Sequence, residues 1–103
     1  MITEDLQIIK EIFSVIDSGI VDGYDSFFFE VEVGDGCIDT QLTVGRDGVS
    51  ATDVKTDIND AILYGLVKRL RERAVQRGER WISFVISYKL GEQVKTIFKY
   101  HNE

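Results

Sequence analysis

Between residues 27 and 44 apolar and polar side chains alternate so regularly that one pairing of two strands puts every apolar member on one face. Phe27, Phe29, Val31 and Val33 alternate with Phe28, Glu30 and Glu32, and Ile38, Thr40, Leu42 and Val44 alternate with Asp39, Gln41 and Thr43. A period of two is the mark of a half-buried strand. Gly34-Asp35-Gly36-Cys37 separates the runs, and Asp-Gly is a favoured pair for a two-residue type I′ turn. Such a turn predicts a hairpin with Val33 opposite Ile38, Val31 opposite Thr40, Phe29 opposite Leu42 and Phe27 opposite Val44. The same register sets Glu32 directly opposite Asp39 on the other face, a like-charge pair that costs a few tenths of a kcal/mol. Two accounts are open: basic side chains from the second half of the chain relieve the repulsion, or a cationic partner does.

The flanking segments read as helix, then helix and a second hairpin. Thr3 is the expected N-cap of the first helix, with Glu4 and Asp5 suited to the positive end of its dipole. Ile8, Ile9, Ile12, Phe13 and Ile16 fall on one helical face, and Asp17-Ser18-Gly19 ends the element. Gly45-Arg46-Asp47-Gly48 is expected to turn the chain toward a long second helix capped by Thr52 or Asp53. Val54, Ile58, Ile62, Leu66, Leu70 and Ala74 recur there every fourth residue. Ala61 and Gly65 beside that row are small enough for close approach to a sheet. Arg69, Arg71, Arg73 and Arg77 crowd the last turns, where such a cluster either grips a phosphate or carboxylate or, the favoured reading, complements the dipole and faces solvent, and Gly78 closes the helix. In the last segment Ile82, Phe84, Ile86 and Tyr88 alternate with Trp81, Ser83, Val85 and Ser87. Val94, Thr96, Phe98 and Tyr100 alternate with Lys95, Ile97 and Lys99. An odd loop around Leu90–Gln93 is needed to bring both apolar sets to one face. The expected fold is α+β: a single domain over residues 1–103, with a four-stranded, mainly antiparallel sheet and both helices on one face.

At 103 residues the chain has room for one core. No apolar run reaches the roughly 18 residues of a membrane span. The acidic start and the single cysteine, Cys37, point to a cytoplasmic protein without signal peptide or disulfide. Charge is unevenly spread. Residues 1–65 hold fourteen Asp and Glu against three Lys and Arg, and residues 66–103 hold four against nine. The net charge of −6 disfavours direct nucleic-acid binding and suits a basic protein partner. Alternatively, the two halves neutralise each other across the folded surface.

Chemistry-bearing patterns are missing. The one histidine, His101, stands two residues from the end, and no second His or Cys pair is spaced to join it in a metal site. No phosphate loop, zinc-protease or nucleophile-elbow sequence occurs. The carboxylates lie on expected solvent faces, away from the apolar surroundings that raise a pKa for acid–base work. We therefore expect a binding protein, not an enzyme, with no cofactor and no metal. Phe28, Trp81, Val85 and Ile97 fall on the face that the pattern assigns to solvent, which marks a covered surface or an interface.

The acidic first hairpin (Tyr24-Asp25-Ser26-Phe27-Phe28-Phe29-Glu30-Val31-Glu32-Val33), the long middle helix and the terminal Trp81-Ile82-Ser83-Phe84-Val85-Ile86-Ser87-Tyr88 strand closing on Phe98-Lys99-Tyr100 together resemble a known group. It is the small immunity proteins of bacterial toxin systems, in particular the YezG-like and contact-dependent growth inhibition immunity proteins. The resemblance covers most of the chain in element order and includes no diagnostic motif. It implies an antitoxin that binds and neutralises a cognate toxin domain, often a nuclease with a basic groove. Asp22, Asp25, Glu30, Glu32, Asp35 and Asp39 would supply the acidic surface, with Phe28 and Trp81 as apolar anchors. A homodimeric scaffold, paired through the exposed sheet face or an edge strand, is the alternative.

Overall fold

The computed structural model describes residues 3–34 and 37–100. The chain divides into two compact units, a helical one (residues up to Val21 and Lys55–Arg80) and a sheet one (Asp22–Val54 and the residues from Trp81 onward). Its elements are α1 (Thr3–Gly19), β1 (Ser26–Gly34), β2 (Cys37–Arg46), β3 (Val49–Ala51), α2 (Asp60–Gln76), β4 (Trp81–Lys89) and β5 (Lys95–Tyr100). The class is α+β with an antiparallel sheet.

In the helical unit, Ile8, Ile9, Ile12 and Ile16 of α1 are buried, as their spacing predicts. Burial of each contributes about 1.5–3 kcal/mol. The start of α2 is corrected: Thr52 and Asp53 precede the helix, and Asn59 is its N-cap, its side chain accepting from the Ile62 N–H at 3.2 Å. With the helix starting later, the buried stripe becomes Leu63, Leu66, Val67, Leu70 and Ala74, which follows the 3.6-residue turn. A strict four-residue recurrence drifts off that stripe, so Ile62 is exposed, as are Ala61 and Gly65. The non-helical segment before α2 is held to the end of α1: Ile20 and Thr56 form a β-bridge, and the Asp57 N–H donates to the Gly19 carbonyl at 2.7 Å. A Cβ on Gly19 would overlap Ile58 Cγ1, which accounts for glycine there. Gly78, at φ 81°, closes α2, with its N–H on the Val75 carbonyl and the Glu79 N–H on the Ala74 carbonyl. This is the Schellman pattern, and glycine adopts its left-handed residue without strain.

The sheet has five strands, not four, in the order β3-β2-β1-β4-β5. The added strand comes from Asp47-Gly48. Both residues have positive φ, 53° and 79°, and Arg46 pairs with Val49 across them. That is the two-residue turn that Asp-Gly favours, here reversing the chain into β3. Between β1 and β2 every predicted pair is present, from Val33 with Ile38 to Phe27 with Val44. The turn residues Asp35 and Gly36 lie outside the described residues. β4 pairs with the other edge of β1, Phe29 opposite Ile86 and Val31 opposite Phe84. β5 pairs with β4 through an odd loop centred on Gly91, so that Phe84 faces Phe98. Phe27, Phe29, Val31, Val44, Phe84 and Ile86 are all buried and form one apolar face of the sheet.

Candidate acidic binding face

On the opposite face the pairings generate three continuous rows across β2, β1, β4 and β5. They run Asp39–Glu32–Ser83–Lys99, Gln41–Glu30–Val85–Ile97 and Thr43–Phe28–Ser87–Lys95. The predicted juxtaposition of Glu32 with Asp39 is therefore real, and Glu30 stands two residues along the same strand face. All three carboxylates are exposed. Their side chains have no ion-pair or hydrogen-bond partner among the described residues. Phe28 shares the face and is 50 % exposed, and Ile97 is 68 % exposed. At the Lys95 end an open recess of about 400 Å³ is bordered by Ser26, Phe28, Ser87, Lys89, Glu92 and Lys95.

Trp81 is corrected from interface anchor to core. It is 2 % exposed, with its ring 5.2 Å from Phe84 and 5.7 Å from Phe98. The cause is a β-bulge: Trp81 pairs with Tyr100 while Ser83 pairs with Lys99, so β4 spends an extra residue there. One extra residue inverts the alternation before it and swings the indole to the side of Phe84. Asp25 is also more structural than expected. Its carboxylate accepts from the Asp47 N–H at 2.6 Å, and its own carbonyl accepts from the Leu90 N–H at 2.9 Å, so it joins the β2–β3 turn to the end of β4. Arg46 donates two hydrogen bonds to the Gly23 carbonyl beside it. Asp22 is exposed in the turn before β1, and Asp35 lies outside the described residues. The set that shares one face is thus Phe28, Glu30, Glu32 and Asp39. To it the structure adds Gln41 on β2 and, across the sheet, Ile97, Lys95 and Lys99. Those last positions follow only from the β1–β4 pairing, and nothing in the local alternation announces that two strands so far apart in sequence are neighbours.

The charges of the helical unit behave differently. Asp5, 4 % exposed, accepts from Arg77 at 2.6 and 3.2 Å and from Arg73 Nε at 3.1 Å. Glu4 pairs with the same Arg73, and Glu79 with Arg77 at 3.1 Å. The Glu79 hydrogen bond, then that of Asp5, raises the Arg77 pKa above its ordinary range, and Arg77 in turn lowers that of Glu79. Of the arginines expected to face solvent, Arg69 is exposed, whereas Arg73 and Arg77 clamp the end of α2 to the start of α1. By sequence the helical unit carries eight basic and eight acidic residues, and the sheet unit four against ten. The net charge of the protein therefore resides in the sheet unit.

Among the described residues no cluster of His, Cys, Asp and Glu is arranged to hold a metal ion, and no helix is long and apolar enough to cross a membrane. Cys37 is exposed as a thiol at the start of β2. Neither a family model nor a curated protein matches the chain.

Proposed function

We propose that the chain is an immunity protein, acting by binding and not by catalysis, that neutralises a basic toxin domain in the cytoplasm. The observation that carries this reading is that Glu30, Glu32 and Asp39 stand exposed on one sheet face with no cation of the described chain to answer them. Adjacent carboxylates cost stability in the isolated protein. A positive surface laid over them relieves that cost and gains from charge complementarity. A nuclease domain is the partner class with the matching chemistry, because its groove is built to hold phosphates. Phe28, half exposed in the row next to Glu30, supplies apolar contact area at one end of the face. Trp81 has no part in this surface.

Electrostatic steering acts mainly on the association rate and weakens with salt. The test is to mix the protein with the C-terminal domain of a large toxin encoded beside it and to follow association at low and high salt. The triple variant Glu30→Lys, Glu32→Lys, Asp39→Lys should associate at least about tenfold more slowly and lose most of the salt dependence. An unchanged rate and salt slope would remove this face from the interaction.

A further inference from the structure

We propose that the same sheet face also pairs with its counterpart on a second copy of the chain, forming a weak, salt-sensitive homodimer. The proposal rests on the layout of the rows and not on the identity of any toxin. Each row runs from an acidic or neutral edge on β2 and β1 to a basic or apolar edge on β5. The clearest is Asp39–Glu32–Ser83–Lys99, negative at one end and positive at the other. A two-fold axis parallel to the strands and passing between β1 and β4 lays β5 of one copy over β2 of the other. Lys99 then stands over Asp39 of the second copy, twice by symmetry. Phe28 lies beside its own equivalent across the axis, and in the neighbouring row Val85 and Ile97 stand over Glu30 and Gln41 of the second copy. Lys95 and Lys99 have no side-chain partner among the described residues, so they are available for this role.

Other self-pairings are disfavoured by the same charges. An axis perpendicular to the strands along the Glu30 row stacks each strand on its own copy and sets Glu30 over Glu30 and Lys95 over Lys99. Edge pairing of β5 with β5 about Ile97 sets Lys95 opposite Lys99 of the second copy, a like-charge contact of the kind that guards sheet edges. The strand-parallel axis alone brings opposite signs together. The face is small: four strands about 4.8 Å apart and five residues about 3.4 Å apart. It falls short of the ~1,200 Å² of a standard stable interface, so the dimer exchanges with monomer. Because dimerisation covers Glu32 and Asp39, a cationic partner and a second copy compete for one surface.

Sedimentation equilibrium of the full chain tests this directly. The wild-type protein should self-associate at low salt and dissociate at least about tenfold more readily at high salt. Two charge-reversed proteins, one carrying Lys95→Glu and Lys99→Glu and the other Glu32→Lys and Asp39→Lys, should each be monomeric alone and should associate when mixed, because each then offers the sign that the other lacks. Circular dichroism checks that both are folded. A wild-type protein that stays monomeric at low salt, a dimer indifferent to both reversals, or a mixture that fails to associate would each overturn the proposal. Failure here leaves toxin binding untouched, since that is read with a different molecule.

Discussion

The helical and sheet units treat charge in opposite ways. In the helical unit acid and base are equal in number, and Asp5, Glu4, Arg73, Arg77 and Glu79 are linked by contacts at hydrogen-bond distance. In the sheet unit acids predominate, and Glu32 and Asp39 are direct neighbours with no described cation between them. The first arrangement stabilises: a carboxylate as buried as Asp5 is tolerable only because two guanidiniums satisfy it. The second costs a little stability and leaves a negative surface facing outward. Charge that serves packing is neutralised within the chain, and charge that is left over marks a surface available to another molecule.

Four substitutions sharpen or break this contrast. Trp81→Ala should have the largest effect, a loss of about 3–5 kcal/mol in chemical denaturation, because it empties a core site between Phe84 and Phe98. A near-neutral result would return Trp81 to the binding surface. Asp5→Ala should cost about 2 kcal/mol, since it leaves two arginines without their shared acceptor. Gly48→Ala should cost about 1 kcal/mol through the left-handed backbone at φ 79°, and it should loosen β3 selectively in hydrogen exchange. Glu32→Gln should do the reverse of Asp5→Ala and stabilise the protein by a few tenths of a kcal/mol, by relieving repulsion from Asp39. If removing either carboxylate destabilised the protein equally, the contrast between the units would fail.

The smallest effect is one of pH. Hydrogen bonding from Arg77 lowers the Glu79 pKa below its ordinary 4.5, so Glu79 contributes stability that is complete above that value. The contribution is lost as the pH falls through the depressed folded-state pKa. Wild-type protein and Glu79→Gln should therefore differ in melting temperature at neutral pH and converge in acid. A difference that stays constant down to strongly acid pH would contradict the pairing.

How much of this was legible in the sequence depended on the range of the interaction. The β1–β2 register was readable because alternation and turn chemistry agree within eighteen residues, and Glu32 opposite Asp39 came with it. The same Asp-Gly signal at Asp47-Gly48 encodes β3, but the short strand beyond it carries no alternation, and the apolar residues after it suggested helix instead. Local alternation puts Trp81 on the outer face, because a bulge shifts the alternation by one residue while leaving the residue types unchanged. The Asp5–Arg77 clamp spans most of the chain, and local spacing gives no sign of it. For the site, the acidic side was visible early, whereas the basic edge at Lys95 and Lys99 needed the pairing of β1 with β4.

The central claim is that the sheet carboxylates project a negative field that the chain itself does not cancel. It can be measured without any partner, from the paramagnetic relaxation that cationic and anionic soluble nitroxides induce in the NMR signals of dilute protein at low salt. The cationic probe should be strongly enriched over Glu30, Glu32 and Asp39, with no such preference around Asp5 and Arg77. Equal relaxation by both probes along β1 and β2 would contradict the account.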